Sequence, residues 1–319
     1  MSNEVDMSGP IVCGVDDSAG ARNAAVAAVA LSARCGLPLI FVHVTPGALR
    51  LSLWDREHKH ALGESMSIDM ELLERTIGRV AHGHDSIIRV AMGTAAERLS
   101  SFAASLGAEM VVVGSRRRRA FRARGLGSVS RSLIGLCERP VLVVSPGVRM
   151  PDTAAEVERG ERASVVCGMN ASPASRHAAE VASRLATRLD DRLVLAHAYS
   201  PLRAGVERGY EFGPLVSRWS AAPMLLDGAR ASLQHLAGPD PELSLEPGSP
   251  RNALIEAAKR EAAELLVVGS DGLGTPGRRS VAEVLVASCP IPVLVVSAPT
   301  DLTGAERERD QGDERLAAA

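Results

Sequence analysis

Aromatic residues are scarce in this chain. They make up 3% of its 319 residues, whereas apolar residues as a whole make up 46%. A core without aromatic side chains has to be built from alanine and branched aliphatic residues, which is typical of buried parallel strands and alanine-rich helices. The composition therefore favours an α/β fold, and the length is sufficient for two ordinary domains.

Several other features are missing. The formal net charge is only -2, so no whole-chain field favours nucleic acid or acidic lipid as a partner. The beginning of the sequence, Met1–Pro10, lacks the pattern of a signal peptide, and no apolar run reaches the roughly 18 residues of a membrane span. We therefore expect a soluble, cytoplasmic protein without membrane association.

Cysteines and histidines do not form metal or disulfide patterns. The five cysteines are an odd number and include no Cys-x-x-Cys pair, which argues against a disulfide framework and a zinc knuckle. His58, His60, His82 and His84 have no neighbouring cysteines or carboxylates at ligand spacing. We expect reduced thiols and no metal site.

The chain repeats itself after roughly 150 residues, a period long enough for a complete domain rather than a solenoid unit. Matching segments occur in the same order in both copies: Ile11–Asp16 with Val165–Asn170, His43 with His197, Gly114 with Gly269, and Pro140–Ser145 with Pro292–Ser297. We predict a first domain over residues 1–148, a linker over 149–162, a second domain over 163–299 and a disordered tail over 300–319.

Strands alternate with helices in each copy, which predicts two tandem, open, mostly parallel five-stranded sheets with helices on both faces. The predicted strands are Ile11–Val15, Leu39–Val44, Ser86–Ala91, Glu109–Val113 and Val141–Ser145, followed by Val165–Met169, Leu193–Tyr199, Leu243–Glu246, Leu265–Val268 and Val293–Ser297. Helices are predicted over Ala21–Cys35, Trp54–Val80, Ala95–Leu106 and Ser128–Cys137. In the second copy, Pro223 is expected to interrupt the long middle helix, leaving Met224–Leu236.

A candidate phosphate site follows the fourth strand. Val111–Val113 lead into Gly114-Ser115, and Gly127-Ser128 precede the next helix. Backbone N–H groups in such a frame can surround a phosphate. Asp16 and Val44 also lie at carboxyl ends of strands, where open parallel sheets bind ligands. These residues predict a nucleotide site.

The first strand with its Asp, the histidine of the second strand, the glycine frame and the closing Pro-Val-Leu-Val-Val together resemble the universal stress protein family in its tandem form. The resemblance covers both copies and implies a Rossmann-like fold that binds ATP or a related adenine nucleotide, with or without Mg²⁺. Carried over to the first copy, it implies a site formed by Gly14, Val15, Asp16, Val44, Gly114, Gly127, Ser128, Val129 and Ser130, with Arg116 as a further phosphate contact. Arg117 departs from the family pattern, because it stands where a second glycine belongs.

The second copy departs further from the family. Asn170 replaces Asp16, Arg279 replaces Gly127, and the intervening loop is three residues shorter. The implied site there consists of Gly168, Met169, Asn170, Ala198, Gly269, Asp271, Gly272, Ser280 and Val281. We expect the first copy to be the better nucleotide site.

The resulting hypothesis is a stress-response regulator or sensor. A nucleotide-independent scaffold with degenerate sites and a weak ATPase remain as alternatives, since no nucleophile and base can be paired from the sequence. The resemblance also implies a pseudo-symmetric pair formed through the final strands, and we further expect a homodimer and an unidentified protein partner. The arginines over 116–124 are interpreted as a solvated loop rather than a nucleic-acid site.

Overall fold

The protein is described by a computed structural model over residues 7–45, 73, 77–78, 80–81, 83–115, 127–148, 162–170, 172–199, 213–234, 238–271 and 280–298, with the backbone alone over 213–222. Several predicted features lie outside these residues: Arg116, Arg117, Gly272 and Arg279, most of the predicted helix Trp54–Val80, the linker up to residue 161, and the tail.

Ten strands and seven helices occur within the described residues. The strands are β1 (Ile11–Gly14), β2 (Leu39–Thr45), β3 (Ser86–Met92), β4 (Met110–Gly114), β5 (Val141–Val144), β6 (Ser164–Gly168), β7 (Arg192–Tyr199), β8 (Glu242–Pro247), β9 (Ala263–Ser270) and β10 (Val293–Ser297). The helices are α1 (Ala19–Cys35), α2 (Ala95–Ser105), α3 (Ser128–Leu136), α4 (Pro173–Leu189), α5 (Gly213–Leu233), α6 (Pro250–Arg260) and α7 (Val281–Ser288). All ten predicted strands are present, with ends within two residues of the predicted ones.

One predicted break is wrong. Helix α5 continues through Pro223 instead of starting after it. A proline inside a helix removes one backbone hydrogen bond but leaves the others in place. On the carboxyl side of Pro223, Leu226, Ala229 and Leu233 are buried against the sheet, and this packing stabilises the helix despite the missing bond.

The ten strands form one continuous sheet in the order β3-β2-β1-β4-β5-β10-β9-β6-β7-β8. Neighbouring strands are parallel except at the centre, where β5 and β10 pair antiparallel. The two predicted five-stranded sheets are therefore joined through their final strands, as the family resemblance implies. Each half reverses its strand order between its first and fourth strands, β1 and β4 or β6 and β9.

Helices cover both faces of the sheet, and each face has its own apolar core. Helices α1, α4 and α5 bury their apolar residues on one face. The other face is covered by α2, α3, α6 and α7. Helix α1 packs with a row of alanines, including Ala24 and Ala28, which are fully buried. None of the helices in the described part of the chain is both long and apolar enough to cross a bilayer.

Polar contacts connect the two copies on both sides of the central β5–β10 pair. The Ser145 hydroxyl donates to the carbonyl oxygen of Val286, and the equivalent Ser297 hydroxyl donates to that of Cys137. On the α1 face, Arg34 of the first copy reaches two carboxylates of the second. It lies 2.5 Å from Glu264 and 3.3 Å from Asp191.

Candidate functional site

A cleft opens at the carboxyl ends of β1 and β4, where the strand order of the first copy reverses. In open α/β sheets this is the position at which ligands bind. The empty space of the cleft is about 680 Å³ when its opening to solvent is included. Its lining consists of Gly14, Val15, Asp16, Ser18, Ala21, Val42, Val44, Ala95, Leu99, Val113, Gly114, Gly127, Ser128, Val129 and Ser130.

Two glycines let the cleft form at the strand ends. A Cβ atom on Gly14 would lie 2.7 Å from the Cδ1 atom of Leu99, one of the residues by which α2 lines the cleft. A Cβ atom on Gly114 would overlap the backbone of Gly20 in the first turn of α1. Glycine at these positions therefore allows α1 and α2 to approach the sheet closely enough to form the walls.

Asp16 lies in the turn between β1 and α1. Its Oδ1 atom accepts a hydrogen bond from the backbone N–H of Ser18 at 3.0 Å. Ser18 is the N-cap of α1, and its hydroxyl oxygen accepts from the N–H of Ala21 at 3.1 Å. The carboxylate thus helps to fix the turn, and it also contributes to the lining of the cleft.

His43 supports the cleft from behind. Its Nδ1–H donates to the carbonyl oxygen of Val15 at 2.8 Å, while the N–H of Val15 donates to the carbonyl oxygen of Val42 at 3.0 Å. Both polar backbone groups of Val15 are therefore fixed by β2. The Nδ1–H group of the histidine is thus satisfied by a backbone carbonyl, as is usual for a buried polar group with a structural role.

The opposite wall is the amino end of α3. The N-cap is Gly127, and none of the described side chains makes a capping hydrogen bond in the first turn. The hydroxyl of Ser130 is turned back to the sheet, where it donates to the carbonyl oxygen of Gly114 at 3.2 Å. Within the described part of the chain the first N–H groups of α3 therefore have no side-chain acceptor, and the helix dipole favours an anion at this end.

All nine described residues implied for the first copy line this single cleft, while Arg116 lies outside the described residues. Sequence reasoning missed the contributions of α2, which are Ala95 and Leu99. A leucine on the apolar face of a helix gives no sequence signal that separates a cleft wall from ordinary core. Val42 and Val113 were recognised only as strand residues.

The second copy repeats the strand ends closely. Asn170 Oδ1 accepts from the N–H of Ser172 at 2.8 Å, and the Nδ1–H of His197 donates to the carbonyl oxygen of Met169 at 2.8 Å. Leu254 takes the place of Leu99, since a Cβ atom on Gly168 would lie 2.8 Å from it. Three other implied residues are also described. Gly269 lies in β9, where an added Cβ atom would overlap the backbone of Ala174. Ala198 lies on β7, and Asp271 is exposed.

The helix start of the second copy differs from that of the first. Ser280 is the N-cap of α7, and its hydroxyl oxygen accepts from the N–H of Glu283 at 3.2 Å. The Glu283 carboxylate accepts in return from the N–H of Ser280 at 3.0 Å. Val281, the other implied residue here, is largely exposed. This reciprocal pair is a capping box.

The inner walls of the first-copy cleft are aliphatic, and Asp16 is the one ionisable side chain in the described lining. An apolar interior, one carboxylate and a helix amino end can together hold a ligand that has a flat apolar part and an anionic part.

Both copies of the chain are similar to known proteins. The sequence model of the universal stress protein family matches residues 7–145 and 162–297. A universal stress protein of Mycolicibacterium smegmatis is 30% identical over 90% of this chain and 96% of its own length. One from Mycobacterium tuberculosis is 33% identical over 59% of this chain, and the match spans about 61% of that relative's length. The crystal structure of a universal stress protein from Archaeoglobus fulgidus covers 91% of the chain at 16% identity, with a TM-score of 0.61, and so shows the shared fold.

Proposed function

Since the chain belongs to the universal stress protein family, we propose that it binds an adenine nucleotide, ATP or a close relative, in the cleft of the first copy. The observation that carries this proposal is the convergence of nine residues from four separate sequence segments on that one cleft. They are the same residues that the family resemblance implies for nucleotide contact.

The three parts of a nucleotide have complementary surroundings in the cleft. Val42, Val44 and Leu99 offer an aliphatic surface for the base. The Asp16 carboxylate can accept hydrogen bonds from the ribose hydroxyls. The uncapped start of α3 at Gly127 can receive the phosphates through backbone N–H groups.

The proposed role is that of a stress-response regulator or sensor and not of an efficient catalyst. The single ionisable side chain in the described lining supports this role, because it leaves the bound phosphates without a paired acid and base. A bound nucleotide acts as a signal when it stabilises one conformation or assembly over another. The stress and the protein partner are to be identified by experiment.

Calorimetric titration of the nucleotide-stripped protein with ATP, Mg²⁺, ADP and AMP tests the proposal. The diagnostic variant is Gly127→Asp, which places an acceptor at the N-cap of α3. Compared with glycine, an aspartate at the N-cap stabilises the helix by only a few tenths of a kcal/mol, yet it occupies the first-turn N–H groups and repels phosphate. We expect folding to be preserved and binding to be lost.

The matched control is Arg279→Asp, at the equivalent position of the second copy, which should leave the affinity unchanged. Native protein that neither binds nor copurifies with a nucleotide would overturn the proposal and favour the nucleotide-independent scaffold. Steady ATP turnover that disappears in Asp16→Ala would instead identify a weak ATPase.

A further inference from the structure

Helices α3 and α7 occupy equivalent places in the two copies but present opposite surfaces at their amino ends. When Gly127-Ser128-Val129 is aligned with Arg279-Ser280-Val281, Arg131 occupies the position equivalent to Glu283. Helix α3 starts at the bare backbone of Gly127, whereas α7 starts one residue later in the alignment, at Ser280. The difference lies in what covers the first N–H groups.

In α7 two of these groups are taken by the protein's own side chains, one of which is a carboxylate. Glu283 Oε2 accepts from the N–H of Ser280 at 3.0 Å, while the N–H of Glu283 is taken by the Ser280 hydroxyl at 3.2 Å. The Glu283 side chain is only 5% exposed. A buried negative charge therefore lies at the helix end that would face phosphate.

The first copy stabilises this carboxylate. Arg131 Nε lies 3.2 Å from Glu283 Oε1, and the arginine side chain is 58% exposed. The carboxylate thus accepts from the backbone through one oxygen and is paired with a cation through the other. Because both oxygens have partners, its burial is not strongly penalised, and an incoming phosphate would have to displace a satisfied internal anion.

We propose that Glu283 takes the place of a nucleotide phosphate in the second copy, so that the chain binds one nucleotide, in the first copy, and that Arg131 holds Glu283 in position. This inference rests on the proposed function of the first-copy cleft. In the second copy, the place of a bound phosphate is therefore always taken by the Glu283 carboxylate. Glu283 is a specificity-determining residue that separates the two copies, and Arg131 is its positioning residue.

The test exchanges the two side chains. The double variant Arg131→Glu, Glu283→Arg gives the first copy the Ser-x-x-Glu pattern beginning at Ser128 and keeps an ion pair of reversed polarity. Each substitution copies the residue that the chain already carries at the equivalent position, and the thermal midpoint checks folding. We expect at least a tenfold loss of ATP affinity by calorimetry. The double variant Arg131→Gln, Glu283→Gln is the matched control: the ATP affinity of the first copy should stay within threefold of the native value, and loss of the Glu283 carboxylate should allow the second copy to bind ATP as well.

Native mass spectrometry of the unaltered chain with excess ATP supplies the second readout, with one ATP per chain expected. Two ATP per chain, or native affinity in the exchanged variant, would overturn the inference while leaving the proposed function intact. A loss of affinity in the Gln control equal to that in the exchanged variant would also overturn it, since the added carboxylate would then not be the cause. A native chain that binds no ATP would overturn the proposed function and this inference together.

Discussion

Asp16 and Asn170 hold equivalent turns in the two copies by the same hydrogen bond. Each side-chain oxygen accepts from the backbone N–H two residues later, at 3.0 Å for Asp16 and 2.8 Å for Asn170. The turn therefore does not require a charge. What the carboxylate adds to the first copy is a stronger acceptor at the edge of the cleft.

The variant Asp16→Asn separates these two contributions. It should keep the turn, and with it the thermal midpoint, because Asn170 already makes the same bond. A neutral acceptor is about 1 kcal/mol weaker than a charged one, so nucleotide affinity should fall about five- to tenfold. Calorimetry measures the affinity, and Asn170→Asp is the control that should not change it. An unchanged affinity in Asp16→Asn would show that the carboxylate does not contact the ligand.

Leu99 and Leu254 provide a second matched pair. Both are buried, and each lies against the glycine that ends the first strand of its copy. Truncation to alanine should cost about 2–5 kcal/mol of unfolding free energy at either position, since it leaves a cavity. Only Leu99→Ala should also weaken nucleotide binding, because Leu99 lines the cleft. Urea unfolding and calorimetry on both variants give the comparison, and equal binding losses would contradict it.

The stability of the contact between the copies should depend on pH through Asp191. Burial, together with the neighbouring Glu264, raises the pKa of Asp191 to about 8, although Arg34 pairs with both carboxylates. Asp191 Oδ2 and Glu264 Oε1 have no hydrogen-bond partner among the described residues. A proton on Asp191 would relieve the excess negative charge at this pair of carboxylates.

A raised carboxyl pKa means that the folded protein binds the proton more tightly than the unfolded chain does. This contribution is complete below about pH 4 and is lost as the pH rises through about 8. Denaturant unfolding between these values should show the decline. In Asp191→Asn the slope should flatten, because the amide carries no charge at any pH. A slope that is identical in the variant would remove Asp191 as the cause.

The five cysteines should be inert in the native protein. All are buried and unbridged, and burial raises the pKa of Cys35 to about 11 and that of Cys167 to about 12. Thiolate is the reactive form. A colorimetric thiol reagent at pH 8 should therefore detect none of the thiols rapidly in the native state and all five in denaturant. Fast labelling of one thiol in the native protein would reveal local opening at that position.

The sequence was informative where local pattern and repetition coincide. The end of β4 could be placed because its apolar run stops at Gly114, as the equivalent run of the second copy stops at Gly269. The end of β1 was predicted one residue too far, at Val15 instead of Gly14. The family resemblance then identified the residues that the structure gathers around the cleft. The boundaries needed no tertiary information, since strand ends are marked by glycine, proline and acidic residues.

Tertiary packing decides the remaining features. Leu99 is a cleft wall only because α2 crosses the end of β1, and Arg34 meets Asp191 and Glu264 only after the two copies have joined. Pro223 predicts a helix break, which packing overrides. The capping box from Ser280 to Glu283 could be predicted in part, because its Ser-x-x-Glu spacing is visible in the sequence. That its carboxylate is paired with Arg131 of the other copy is seen only in the folded chain.

The antiparallel pairing of β5 with β10 within one chain has a consequence for symmetry. In a dimer of identical subunits, two equivalent positions that meet across a two-fold axis must carry the same residue, so Arg131 would face arginine or Glu283 would face glutamate. Opposite charges at such a position require two halves of different sequence, as this chain has. Because both halves belong to one chain, the two members of the ion pair are always synthesised in one-to-one proportion.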